Sequence, residues 1–342
     1  MVSVAILGAS GYAGGELVRL IDEHPSMEVS LLGAHSQVGS SLGDVHPHLS
    51  GTDRVLAPYD VDLLADSDLV FLALPHGAST EIGHELAAGD KQIVDLGSDF
   101  RMDTSERYAS AYGAPHLYPD ELSGWVYGLP ELFGDQLMGA QLVSSPGCYP
   151  TASLLPAAPL LKAGVIGGPV IVNALSGVSG AGRSLREDLL FGAINESARA
   201  YEVTTHRHRP EIEMVLERFC SVETVPTLFT PHLVPMHRGI HATVTAPVAS
   251  GVTENDLRGA LREFYSDKPF VNVRDDAPRT SWVAGSNRAE IAAFLDESTG
   301  YAVLVCVIDN LIKGAAGQAI QAANLMLGLP ETVGLPFSGW AL

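Results

Sequence analysis

One cysteine, two histidines and a few arginines in this 342-residue chain stand where their side chains could do chemistry. Cys148 closes the turn Ser144-Ser145-Pro146-Gly147 and precedes an Ala- and Leu-rich run, Thr151 to Lys162, whose composition predicts a helix. A thiol there feels the positive end of the helix dipole and meets backbone N–H donors, which favour thiolate and so nucleophilic attack. Pro150 suits a first helical turn, and Gly147 relieves crowding beside the sulfur. Further on, Thr205-His206-Arg207-His208-Arg209-Pro210-Glu211 gathers two imidazoles, two guanidinium groups and a carboxylate ahead of a helix running through Phe219. Either histidine could serve as the acid/base partner of Cys148.

Two further arginines are candidate anion clamps. Arg101 follows the strand-like Gln92-Ile93-Val94-Asp95, and Arg183 ends the glycine-rich Ser176-Gly177-Val178-Ser179-Gly180-Ala181-Gly182. Guanidinium forks grip phosphate or carboxylate in bidentate fashion. For Arg101 the competing account is a surface ion pair with Asp99 or Asp103. Any anion pocket must be local, because 20 basic against 40 acidic residues leave a net charge of −20. That balance repels nucleic acid and anionic membrane.

The elements that position these groups begin with an apolar run, Val2 to Leu7, followed by Gly8-Ala9-Ser10-Gly11-Tyr12-Ala13-Gly14 and then Leu17-Val18-Arg19-Leu20-Ile21 at helical spacing. Strand, glycine turn and helix in that order bring backbone N–H groups up to a pyrophosphate at a helix N-terminus. The spacing is G-x-x-G-x-x-G and not G-x-G-x-x-G, so the context carries more weight than the motif. A second strand, Met27 to Ala34, ends without the acidic residue that would take a ribose 2′-hydroxyl; Ser36, Gln37 and Ser40 follow instead and favour NADP. Strand-like segments from Asp68 to Leu74, leading into Pro75, and from Gln141 to Ser144 continue the alternation with helices. The first 147 residues therefore read as α/β, a Rossmann-type doubly wound domain with cofactor and thiol converging at its ligand-bearing edge.

Beyond Cys148, strand-like stretches near 169–175, 225–233, 239–246 and 301–310, with one helix near 254–265, indicate an α+β domain able to serve a subunit interface. A helix of small residues is expected from Asn310 to Leu327, and Cys306 reads as core. Cys148, Cys220 and Cys306 show neither a disulfide framework nor zinc spacing. His46-Pro47-His48 and the set His232, His237, His241 lack a metal-ligand pattern, so no metal is expected. Without a long apolar run or a charged leader, the chain reads as cytosolic.

Taken together, Gly8-x-Ser10-Gly11-Tyr12-x-Gly14-x-Glu16, Ser145-Pro146-Gly147-Cys148-Tyr149-Pro150-Thr151, Ser176-Gly177-x-Ser179-Gly180-Ala181-Gly182-Arg183 and His206-x-His208-x-Pro210-Glu211 resemble the N-acetyl-γ-glutamyl-phosphate reductase family, relatives of the aspartate-semialdehyde dehydrogenases. The resemblance covers essentially the whole chain. It implies an NADP-binding Rossmann domain of residues 1–147 plus a returning helix at 312–330, and an α+β catalytic and dimerisation domain of residues 148–311. It implies NADPH-dependent reduction of an acyl phosphate through a thioester on Cys148, in arginine biosynthesis, by a homodimer or homotetramer. His208 matches the family's acid/base position, with His206 in reserve; Arg101, Arg183, Glu211 and His206 are the expected substrate contacts. The expected cofactor contacts are Gly8, Ser10, Gly11, Tyr12, Gly14, Ser36, Gln37, Pro75, Ser179, Gly180 and Asn310, with Gly314 and Gln318 near the nicotinamide.

Two other readings compete. Aspartate-semialdehyde dehydrogenase shares the chemistry, but its cysteine usually sits in a Cys-Asn or Cys-Thr context, whereas Tyr149-Pro150-Thr151 follows here. A non-catalytic NADP-binding redox sensor would leave Cys148, His208 and the arginines without a task.

Overall fold

The structure is a computed structural model and describes residues 1–340; contacts divide the chain into two units. The first takes Met1–Tyr108, Pro115–Pro146 and Ala315–Leu335. Its elements run β1 (Val2–Leu7), α1 (Tyr12–Asp22), β2 (Met27–Gly33), α2 (Leu42–Val45), β3 (Leu69–Leu72), α3 (Thr80–Ala87), β4 (Gln92–Asp95), α4 (Ser105–Tyr112, whose last turn counts with the second unit), β5 (Val126–Tyr127), α5 (Pro130–Leu137) and β6 (Leu142–Ser144). The six strands pair in parallel in the order β2-β1-β3-β4-β6-β5. Val4 to Leu7 and Leu69 to Leu72 are fully buried, as continuous apolar strands must be when both faces of a parallel sheet are covered. The order places the β1 and β3 carboxyl ends side by side, the place where an open α/β sheet holds its ligand.

The second unit takes 109–114, Gly147–Gly314 and the described residues from Pro336 onward. It holds α6 (Cys148–Lys162), β7 (Val170–Ser176), α7 (Phe191–Ile194), β8 (Arg199–Ala200), α8 (His208–Cys220), β9 (Thr227–Leu233), β10 (Ile240–Pro247), α9 (Glu254–Phe264), β11 (Val271–Arg274), β12 (Ala289–Asp296) and β13 (Tyr301–Ile308). The strands form one mixed sheet in the order β11-β12-β13-β10-β7-β9-β8. β10 alternates buried and half-buried residues, the mark of a sheet with one face under helices and the other open. α6 lies against β10, β12 and β13 and is buried nearly all round, which explains its lack of a polar stripe.

β11 and β12 carry little strand signal in the sequence. β11 is four residues long, and β12 begins Ala-Glu-Ile-Ala-Ala, rich in a residue that strands disfavour.

The expected helix from Asn310 starts late. Asp309, fully buried, accepts hydrogen bonds from the N–H groups of Gly285, Leu311 and Ile312, and Gly314 N bonds back to the Asp309 carbonyl across a wide π-helical turn, Ile312–Ala316. Regular α-helix begins only with α10 (Gly317–Met326), which packs in the first unit against α1, α5 and β4. No helix among the described residues is long and apolar enough to cross a membrane.

Candidate active site

α6 begins at Cys148 itself and not at Thr151, since Pro150 falls in its first turn, where a proline breaks no hydrogen bond. Gly147 is the N-cap in extended conformation and offers no side chain to the first-turn amides, which leaves the helix terminus open to an anion beside the half-buried thiol. The turn is held from outside: Gly147 N donates to Glu211 Oε1 at 2.9 Å, and Glu211 is fully buried. Glu211 sits in the first turn of α8, whose first residue is His208, so one carboxylate ties the start of the histidine helix to the start of the cysteine helix. Gly314 closes the other side. A Cβ built there would lie 2.7 Å from Cys148 Cβ.

His206 and His208 are both buried, their rings 4.7 Å apart, and each meets the Tyr149 ring edge to face. Their roles differ. His208 N donates to His206 Nδ1 at 3.1 Å, so His206 Nδ1 is an acceptor and any proton of the neutral ring is on Nε2. Burial, then the Arg207 charge, push His206 down to about 4, which keeps it neutral near pH 7. His206 therefore caps the helix that carries His208. Tyr201 donates to the Tyr149 hydroxyl at 3.1 Å, which donates to the His232 carbonyl at 3.2 Å, and burial pushes Tyr201 up to about 12. The other cysteines are poorer nucleophiles: burial raises Cys220 to about 11 and drives the wholly buried Cys306 further up.

Of the residues read from the sequence as anion or cofactor contacts in this unit, Ser179 and Asn310 come together. Asn310 accepts from Gly239 N at 2.7 Å and donates to Ser179 Oγ at 3.0 Å, while a Cβ on Gly180 would meet Ser176 Oγ at 2.9 Å. Arg183 follows Gly182, which adopts a φ of +82°, and is exposed.

In the first unit, Arg101 is buried. Its Nε donates to the Ser145 carbonyl at 2.8 Å and its Nη2 to the Leu96 carbonyl at 2.8 Å, so part of the guanidinium braces the segment leading to the cysteine turn.

The glycine loop fits a dinucleotide. Gly8 has a φ of +92° and a Cβ there would sit 2.2 Å from the Ala73 carbonyl oxygen; one on Gly14 would sit 2.2 Å from the Gly8 carbonyl oxygen. Gly11 is different, since its Cβ would meet nothing closer than the Gly8 oxygen at 3.4 Å, so internal packing does not demand a glycine there and the space beside it is open. α1 starts at Tyr12 without a side-chain cap, and Ser10 and Tyr12 flank the opening. Beyond the end of β2, Ser36 is exposed and Gln37 Oε1 is a buried acceptor with no partner among the described residues. Gln318, on α10, donates to the Gly128 carbonyl at 2.8 Å and leaves its own Oε1 in the same condition.

Three supports in this unit and its neighbour carry no motif. His46 hydrogen-bonds the Ala9 carbonyl through Nε2 at 2.9 Å and lies against Gly15, bracing the glycine loop. Asp99, fully buried, accepts from His76 Nδ1, from the N–H groups of Gly77 and Ser79, and from the Ser79 and Thr80 hydroxyls, and so sets the shape of the loop after Pro75. Burial opposes the Asp99 charge, yet these donors hold it down at about 2. Tyr201 is the third. Each acts across a long sequence separation, which no local spacing reports.

Comparison with known proteins agrees on both units. Residues 3–140 match the family model described as "Semialdehyde dehydrogenase, NAD binding domain", and residues 148–310 match "Semialdehyde dehydrogenase, dimerisation domain". The N-acetyl-gamma-glutamyl-phosphate reductase of Heliobacterium modesticaldum is 44% identical over 99% of both chains. That of Symbiobacterium thermophilum is 46% identical, covering 99% of this chain and 98% of the relative. Among solved structures, aspartate semialdehyde dehydrogenase II from Vibrio cholerae matches with a TM-score of 0.72 at 16% identity, over 95% of this chain and 98% of that one. The aspartate semialdehyde dehydrogenase with NADP from Candida albicans matches with a TM-score of 0.68 at 17% identity, over 96% and 99%.

Proposed function

The chain belongs to the semialdehyde dehydrogenase family and, within it, to the N-acetyl-γ-glutamyl-phosphate reductases, and we propose that it reduces N-acetyl-γ-glutamyl phosphate to N-acetyl-glutamate semialdehyde, with release of phosphate, in arginine biosynthesis. The observation that carries the reading is the Gly147 N to Glu211 Oε1 hydrogen bond, which joins the helix start bearing Cys148 to the helix start bearing His208.

Cys148 Sγ attacks the acyl-phosphate carbonyl carbon; the C–S bond forms, the carbon–oxygen bond to phosphorus breaks, and inorganic phosphate leaves a thioester. The open first turn of α6 offers backbone N–H groups to the oxyanion. When bound in the first unit, NADPH would supply the hydride that brings the thioester carbon to the aldehyde level. His208 protonates the resulting alkoxide to a thiohemiacetal, then takes the proton back as the C–S bond breaks and aldehyde departs. Arg101 and Arg183 serve the phosphate end of the substrate. The glycine loop of Gly8, Gly11 and Gly14 with Ser10 and Tyr12 receives the pyrophosphate, Ser36 and Gln37 the 2′-phosphate, and Pro75, Ser179, Gly180 and Asn310 complete the cofactor contacts.

The enzyme works as a homo-oligomer. Support comes from the dimerisation-domain match and from Leu175 and Leu228, apolar and exposed on one face of the second unit's sheet. Its three cysteines form no disulfide with one another, which suits the cytosol.

The reaction is tested in reverse, following NADPH absorbance with N-acetyl-glutamate semialdehyde, phosphate and NADP, beside aspartate semialdehyde. Phosphate-dependent signal with the acetylated aldehyde alone, lost in Cys148→Ser while NADPH binding persists, is expected. Signal with aspartate semialdehyde instead would move the protein to the sister activity, and turnover by Cys148→Ser would remove the thioester.

A further inference from the structure

Arg207 and Arg209 line one small cleft of the second unit, together with Ser110, Thr204, Thr205 and His206. Arg209 is half-buried and Arg207 exposed, and among the described residues neither side chain is paired with a carboxylate or donates a hydrogen bond. That is unusual in a chain with twice as many acidic as basic residues. Arg19, Arg54, Arg199, Arg258 and Arg262 all meet a carboxylate. Glu202, on the same segment, turns its carboxylate to His206 Nε2 at 3.7 Å.

Two arginines at one cleft, neither neutralised by a carboxylate among the described residues, leave a local positive potential there that draws an anion. The hydroxyls of Ser110, Thr204 and Thr205 add donors of the kind an oxyanion takes. The cleft also has the right neighbour. His206 forms part of its wall, and the His206 ring lies 4.7 Å from His208 and 5.7 Å from Tyr149, the residue after Cys148.

We propose that Arg207 and Arg209 bind the carboxylate of the substrate and thereby set its register against Cys148 and His208. The proposal rests on the reaction proposed above. Forked guanidinium groups suit a planar carboxylate, and loss of one charge-assisted pair is worth about 1.5–3 kcal/mol, or roughly 10- to 100-fold in affinity.

The reverse reaction separates the two anions of the substrate, because the aldehyde carries the carboxylate and phosphate is added on its own. Arg209→Gln and Arg207→Gln should each raise KM for N-acetyl-glutamate semialdehyde by roughly 10-fold or more, with a smaller change in kcat and KM for phosphate and NADP within about 2-fold. Lysine at either position should recover part of the loss. An unchanged KM for the aldehyde, or a rise in KM for phosphate in its place, overturns the assignment. Calorimetric titration with N-acetylglutamate, an unreactive carrier of the same carboxylate, reads the cleft apart from turnover. A wild-type protein that is silent in the assay yet binds N-acetylglutamate in an Arg209-dependent way would sink the proposed reaction and keep the cleft; wild-type binding that both variants retain would sink the cleft.

Discussion

Gly314 has its Cα turned against Cys148, so close that a methyl group on it would lie 2.7 Å from Cys148 Cβ and 3.3 Å from Cys148 Cα. Carbon atoms do not approach so near, and the neighbours on both sides are fixed. Gly314 N is held by the Asp309 carbonyl, and Gly147, just before the cysteine, is held by Glu211.

Gly314→Ala should therefore move the thiol. The replacement carries no helix-propensity penalty, since alanine is favoured over glycine by about 1 kcal/mol in a helix interior. What opposes it is overpacking, typically about 1–3 kcal/mol, relieved by displacing Cys148. We expect kcat to fall by roughly 100-fold, because small displacements of a reacting group cost that much, while circular dichroism stays unchanged and the melting temperature drops by a few degrees. Wild-type kcat in this variant would show that the sulfur tolerates displacement.

Much of this arrangement is visible in the sequence and part of it is hidden, for a physical reason. Strand, glycine turn and helix over residues 2–22 are neighbours in the chain, so their order could be read directly, as could a cysteine ahead of an apolar helix. Glu211 reads as a candidate for substrate or imidazole contact because it stands beside His208, and its bond to Gly147 spans 64 residues. His46 looks like half of a weak metal pair, yet its imidazole is occupied by the Ala9 carbonyl. Arg101 reads as a surface residue or an anion clamp, and the Ser145 and Leu96 carbonyls that it serves are backbone groups with no side-chain signature. Local chemistry is written in residue types, whereas supports that bridge the fold depend on which backbone groups end up without a partner.

The two histidines should separate by pH. His206 is held down at about 4 from an ordinary value near 6.5, by burial and then by Arg207. A depressed folded-state value means that its contribution to stability is complete above about pH 6.5 and is lost as pH falls toward 4. His206→Gln keeps a side-chain acceptor for His208 N and has no charge to gain. It should flatten the acid side of the stability curve over that window and lower kcat by less than about 10-fold. His208→Asn should lower kcat by roughly 100-fold or more. Thermal melts from pH 4 to 7 and kcat against pH on the same variants decide it; a greater loss of rate in His206→Gln than in His208→Asn would exchange their roles.

Asp95 gives the last prediction, and its sign is opposite to that of most carboxylates. It is fully buried at the end of β4, accepts from Gly97 N at 2.8 Å, and lies near the ionised Asp99. Burial first, and the Asp99 charge second, raise it from 3.8 to about 7. The folded chain thus keeps a proton on Asp95 that the unfolded chain surrenders near pH 4, and the folded state loses ground as pH rises from about 4 to about 7. Asp99 works in a separate window. Its value of about 2 means that its stabilisation is present above about pH 4 and disappears only in stronger acid. Asp95→Asn preserves the acceptor for Gly97 N and cannot ionise, so it should match the wild type near pH 4 and exceed it by roughly 2–4 kcal/mol above pH 7. Urea unfolding at pH 4.5, 6 and 7.5 measures the difference. A gap that stays constant with pH would mean that Asp95 is already ionised across the range, and that the energy of the buried carboxylate pair is carried by Ser79, Gly97 and Arg101 instead.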